Sequence, residues 1–165
     1  MMQSVNWEGL SDSARVWVYT ASRPLSNTEI AALSNLLNVF VADWAAHGKS
    51  LKAGWSLEVD NRVLVLAVDE SAHGASGCSI DASVAFLKNV AAEFGDLDWF
   101  DRHIIMYQKE GEWQEARLHH FWAMRKAGQI QPHNPLCDTL ASNLGAWRRH
   151  SIRPFAESWH QEMWS

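Results

Sequence analysis

The segment 68–81, Val-Asp-Glu-Ser-Ala-His-Gly-Ala-Ser-Gly-Cys-Ser-Ile-Asp, holds the residue types best suited to chemistry in this chain. Asp69 and Glu70 leave the end of an apolar run, His73 follows, and Cys78 falls where a helix is expected to begin. Free N–H groups at a helix start favour an anion and lower the pKa of a thiol placed there. Cys78 is therefore the candidate nucleophile, with His73 as its base or orienting partner and His47 as a second candidate base. Gly74 and Gly77 allow tight turns and close approach of a ligand. Asp69, Glu70, Ser76, Gly77, Ser79 and Asp81 then form a candidate ligand-binding loop, suited to a small anion. A plainer alternative makes Ser79 or Asp81 the helix cap, the glycines loop residues and Cys78 a small buried side chain. For Cys78 the plainer alternative is the favoured one.

Other chemistries find less support. Asp69 and Glu70 are adjacent, so on a regular strand they face opposite ways and form no carboxylate dyad. Together with Asp81 they would hold a hard cation only if the fold made their oxygens converge, so no metal is assigned. His119 and His120 diverge by about 100° on a helix, which is poor ligand geometry. Gly48-Lys49-Ser50 resembles the end of a phosphate-binding loop, but position 43 is Asp where that motif needs glycine, and the tripeptide follows a helix. No cofactor is indicated. The formal net charge of −5 and the short basic runs argue against a nucleic-acid partner. Arg148, Arg149 and Arg153, the one basic concentration, read as a solvated face or as partners of local carboxylates. No apolar run reaches the ~20 residues that span a bilayer, and the first residues lack a signal-peptide pattern, so no membrane partner and a cytoplasmic location are expected. Cys78 and Cys137 form no CxxC pair and are expected to be reduced. The ten tryptophans are scattered along the chain, which points to packing more than to a stacking platform.

The elements that position these residues follow from periodicity. Residues 15–20 alternate as a strand, and Ser26 with Glu29 has the spacing of a capping box. The helix after it carries Ile30, Leu33, Leu37, Phe40, Val41 and Trp44 on one face. Two strands, 51–59 and 62–68, are joined by Asp60-Asn61, a pair that tolerates positive φ. The second is apolar on both faces and is expected to be central. A second helix is expected over about 80–94 and a fourth strand over 103–107, with a turn at 109–112 leading into a short fifth. This order is the βαββαβ pattern of a ferredoxin-like α+β sandwich. Residues 1–116 would form the sandwich. Residues 117–165 would form a helical extension packed on it, with helices over 117–126, 137–147 and from Pro154, covering the open sheet face.

Residues 14–19, Arg23-Pro24-Leu25, 44–48, 65–70, 75–81, Phe100-Asp101-Arg102 and Ser158-Trp159 together resemble a family of small bacterial proteins often labelled "ABC transporter ATPase". The resemblance covers most of the chain but implies no established activity. Residues 76–79 differ from the Leu-Ser-Gly-Gly-Gln signature and the Walker A motif is incomplete, so ATP chemistry is not carried over. The leading expectation is a noncatalytic binding or regulatory module acting on a protein or small-molecule ligand, with a homodimer through the sheet or helical tail as its candidate assembly. The alternatives are a small thiol-dependent or hydrolytic enzyme using Cys78, and a small-anion or metal-binding protein using the 69–81 loop.

Overall fold

Apolar side chains on both faces of one strand set the layering of the molecule, because such a strand must be covered twice. The computed structural model describes residues 2–47, 52–69 and 77–164, with side chains throughout except at 45–47, 77–80, 163 and 164. In chain order the elements are β1 (Met2–Gln3), β2 (Arg15–Thr20), α1 (Asn27–His47), β3 (Lys52–Glu58), β4 (Val63–Asp69), α2 (Gly77–Phe94), β5 (Ile104–Lys109), β6 (Glu112–Arg117), α3 (Leu118–Lys126), β7 (Pro135–Cys137), α4 (Leu144–His150) and β8 (Ile152–Pro154). Short 3₁₀ turns lie at Trp7–Gly9, Phe155–Glu157 and Trp159–Trp164. The chain is thus mixed α+β, with two antiparallel four-stranded sheets ordered β1-β3-β4-β2 and β6-β5-β7-β8.

Residues of β4 alternate between two cores. Leu64, Leu66 and Val68 meet Leu33, Leu37, Val41 and Trp44 of α1 and Leu87 and Val90 of α2. Val63, Val65 and Ala67 meet Met106 of β5, Cys137 of β7 and Leu144 and Trp147 of α4. The far side of the second sheet, Ile105, Tyr107 and Leu136, is closed by Phe121 of α3 and by Phe155. Helices, sheet, second sheet and a final helical layer therefore stack in order. Each fully buried Leu or Val is worth about 1.5–3 kcal/mol, so β4 is the principal anchor of both inner layers.

The capping box forms as expected: Glu29 N donates to Ser26 Oγ at 3.1 Å and Ser26 N donates to Glu29 Oε1 at 2.9 Å. The hairpin between β3 and β4 also forms, with positive φ at Asp60 and Asn61 and additionally at Val59. Arg62, buried beside this turn, donates to Ala21 O at 2.9 Å and pairs with Glu115 of β6, tying the two sheets together. Gly54 of β3 is needed because the N-terminal segment crosses it. A Cβ there would stand 2.8 Å from Leu10 Cδ1 and 2.9 Å from Ser4 Oγ.

The fourth strand departs from the ferredoxin-like expectation. β2, β4 and β3 pair in the expected order, but β5 pairs with β6 and β7 in the second sheet, and β1 extends the first sheet beside β3. The place beside β2 is taken by residues 142–144. Val16 N donates to Ser142 O at 3.2 Å, Leu144 N donates to Ala14 O at 2.8 Å, and Arg15 bridges to Asn143. With both of its faces apolar, β5 is instead buried between the core that the two sheets share and the outer core under Phe121 and Phe155.

Residues 117–165 are less helical than expected. α3 forms, but 135–137 make a strand, and the helix expected over 137–147 begins only at Leu144, where Asn143 Oδ1 accepts from Ala146 N at 2.8 Å. Pairing of β7 with β8, prolonged by Asp138 N donating to Ser151 O at 2.7 Å, competes with helix there. After Pro154 the chain makes 3₁₀ turns. Two arginines of this half are engaged within the fold. Arg148 reaches Asp12 at 2.9 Å and the carbonyls of Trp7 and Leu10, and Arg153 lies 3.7 Å from Asp138. Among the described residues no helix is long and apolar enough to cross a membrane.

Candidate functional site

The loop singled out in the sequence is placed only at its ends. Asp69 closes β4 opposite Lys52 and is half-buried. α2 starts at Gly77, three residues earlier than expected, so Cys78 and Ser79 belong to its first turn, and Asp81 is exposed on the same helix. Glu70, His73 and Ser76 lie outside the described residues, and His47 is the last residue of α1. Among the described residues no three His, Cys, Asp or Glu side chains are grouped to hold a metal ion.

Two further groups with chemical potential are built into packing. Burial pushes the Cys137 thiol up, with Glu58 and Asp138 adding to the effect. A thiol held protonated is a poor nucleophile. Ser158 Oγ lies 3.1 Å from His160 Nδ1 and 3.0 Å from Phe155 O. This pair has the elements of an acyl-transfer site, but both side chains are buried and the hydroxyl is also within hydrogen-bond distance of the Phe155 carbonyl. His160 also stacks on Trp159 with ring centroids 3.9 Å apart. Its burial lowers the imidazole to about 4, partly opposed by Asp138.

An open cleft of about 470 Å³ lies instead at the junction of β5, β6 and α3, lined by His103, Leu118, His119 and Trp122. Its geometry follows from the hairpin register. Ile104 pairs with Arg117, so His103 comes alongside the point where β6 runs without a loop into α3. Leu118 N donates to His103 O at 2.7 Å, fixing that junction. Asp101 braces it: its carboxylate accepts from His103 N at 2.9 Å and from Arg117 Nη2 at 2.7 Å. The His103 N–H holds the Asp101 carboxyl below its usual range; burial opposes this and Arg117 reinforces it.

On α3, Phe121 points into the core, so Trp122, about 100° further round, is carried to the surface. Leu118 and Trp122 are four residues apart and share a face. Lys126, one turn on, places Nζ 3.8 Å from the centre of the Trp122 ring. Trp122 is 40% exposed and is the one exposed indole among the described residues. Trp7, Trp44, Trp55, Trp99 and Trp147 are core residues, in keeping with the packing role expected of most tryptophans.

His103, Leu118 and Trp122 were not among the sequence candidates, and His119 was set aside for its poor ligand geometry beside His120. The available signal was that Trp122 falls off the buried stripe led by Phe121, which leaves a large indole without a core position. No family model, curated protein or solved structure matches the chain.

Proposed function

We propose that the protein is a noncatalytic binding module whose ligand site is the cleft of His103, Leu118, His119 and Trp122. The observation that carries this reading is the exposed Trp122 indole in a concave, largely apolar surface of ligand-sized volume, where an exposed aromatic is expected to mark a binding site. The ionisable groups of the lining are the imidazoles of His103 and His119. Further parts of this reading are that the first layer is a variant of the ferredoxin-like sandwich with its fourth strand moved to the second sheet, that the protein acts in the cytoplasm as a monomer or homodimer, and that it belongs with the small bacterial family it resembles.

Labelling with 5-fluorotryptophan tests the reading, the Trp122 resonance being assigned by Trp122→Phe. Mixtures of small aromatic compounds should shift that resonance, and the bound compound should be recovered chemically unchanged. Shifts confined to other tryptophans, or turnover of the compound, would defeat it. The second reading, thiol chemistry at Cys78, is favoured by one observation: the residue stands in the first turn of an 18-residue helix.

A further inference from the structure

Phe121 is the one buried residue of α3; the others are half-buried or exposed. The surface they present is basic in a protein whose formal net charge is −5. Between Glu115 and Asp138 the chain carries no carboxylate, while it carries Arg117, Arg125, Lys126 and three histidines. The carboxylates that border this stretch are turned to other cations. Glu115 pairs with Arg62, Glu112 lies opposite Lys109, Asp101 accepts from Arg117, and Asp138 lies 3.7 Å from Arg153 Nε. Arg125 and Lys126 suit the negative end of the α3 dipole, which accounts for their sign. It does not account for the exposed indole one turn before them, at the edge of an apolar cleft. Lys126 Nζ lies over the Trp122 ring, and Lys126 is not among the lining residues, so this cation stands beside the cleft and not in it.

We propose that α3 and the adjoining cleft form a docking surface for an acidic segment of a partner protein. An apolar side chain of the segment enters the cleft against Leu118 and Trp122, and flanking Asp or Glu residues meet Lys126 and Arg125 outside it. This rests on reading the cleft as the binding site and names the class of its occupant. A cleft of about 470 Å³ lies toward the small end of ligand sites and has room for an inserted side chain. An aromatic anchor in a pocket with charges at its margin is the arrangement of an interface hot spot, where apolar contact supplies affinity and rim charges supply selectivity. An anionic bilayer fits less well. The exposed apolar row of α3, Leu118 and Trp122, ends at Lys126 and borders a concavity that a flat surface does not fill.

Three pools of short peptides test the proposal, each with Leu, Phe or Trp at the centre. One has Asp and Glu flanks, one the isosteric Asn and Gln, and one Lys and Arg. Binding is read from the Trp122 fluorine resonance of the 5-fluorotryptophan-labelled full chain, against each protein's own unbound spectrum. At low salt the acidic pool should bind about fivefold tighter than the amide pool, the worth of two rim ion pairs, and the basic pool should bind weakest. High salt should close the gap. Lys126→Gln should narrow the gap and Lys126→Gln with Arg125→Gln should remove it, with the amide pool bound as before; circular dichroism confirms that both variants are folded. Equal affinity for the acidic and amide pools, or a gap that survives both substitutions, overturns the acidic partner and leaves the cleft an apolar site. Phosphatidylserine vesicles that move the resonance where the acidic pool does not would assign the surface to a membrane instead. If no pool reaches Trp122 while small aromatic compounds still do, the protein partner is overturned and the small-ligand site stands; if neither does, the reading of the cleft has itself failed.

Discussion

Arg23 holds Glu29 with both ends of its guanidinium, at 2.9 and 2.8 Å. The same arginine donates to Asp96 O at 3.0 Å and to Gly95 O at 2.8 Å, so one side chain joins the start of α1 to the end of α2. Each partner sits where its charge suits the helix dipole, acid at a start and base at an end. Arg23→Ala should cost about 1–2 kcal/mol, toward the low end for a bidentate pair because both side chains remain partly in water. Arg23→Lys should recover only part, since an ammonium cannot reproduce the fork. The hydrogen bonds from Arg23, then that from Ser26 N, pull the Glu29 carboxyl down to about 2 from an ordinary 4.5. A depressed folded value means the contribution is complete above about 4.5 and disappears as pH falls through about 2. Urea midpoints of wild type and Arg23→Ala should therefore converge over that interval, and a constant gap would refute the assignment.

His160 gives acid sensitivity in a higher window. Its folded value of about 4 lies below the ordinary 6.5, so the unfolded chain takes up the proton first. Stability should be greatest above about 6.5 and fall as pH drops toward 4, by on the order of 2–3 kcal/mol for this one buried group. In His160→Asn, where an amide can still face Ser158 Oγ, this part of the slope should vanish. Urea unfolding at several values between pH 7.5 and 4.5 checks it, and parallel slopes for the two proteins would dismiss His160 as the source.

Local chemistry was readable in advance where it depends on neighbouring residues. The Ser26 and Glu29 cap, the stripe of Leu33, Leu37 and Trp44, and the two-faced burial of Val63 to Val68 all follow from spacing alone. The partner of β5 was not readable, because it depends on residues 142–144 occupying the β2 edge from more than a hundred residues away. The same non-local competition turned residues 135–137 into strand. For the site, the sequence drew attention to the glycine-flanked Cys78, whose helical position was legible to within a few residues. It passed over Trp122 because a tryptophan in an aromatic-rich helix reads as core until Phe121 is seen to take the core place.

On the thiol reading the two cysteines should differ sharply toward iodoacetamide. Cys137 is 4% exposed and its thiol is pushed up by burial, so it should label only as the chain unfolds. Cys78, in the first turn of α2, should label in the native state near neutral pH if thiol chemistry occurs there, and mass spectrometry after timed quenching separates the sites. A Cys78 that waits for denaturant, as Cys137 does, would remove the enzyme reading and leave the cleft as the candidate site.

The hairpin between β5 and β6 offers a stabilising substitution that also tests the layer carrying the cleft. Its two-residue turn has Glu110 at φ 55° and Gly111 at φ 80°, both in the left-handed region, with Lys109 paired to Glu112. Such a turn follows the strand twist and favours Asn-Gly, whereas Glu pays for the left-handed conformation with no compensating contact described for its side chain. Glu110→Asn should raise stability by about 0.5–1 kcal/mol, seen as a melting temperature a few degrees higher. Because this turn sets the register that brings His103 alongside Leu118, the substitution should leave the ligand-induced shift of the Trp122 5-fluorotryptophan resonance unchanged. A loss of stability would show that 110 is not left-handed, and a loss of binding with stability retained would show that the register of β5 and β6 does not place the cleft as described.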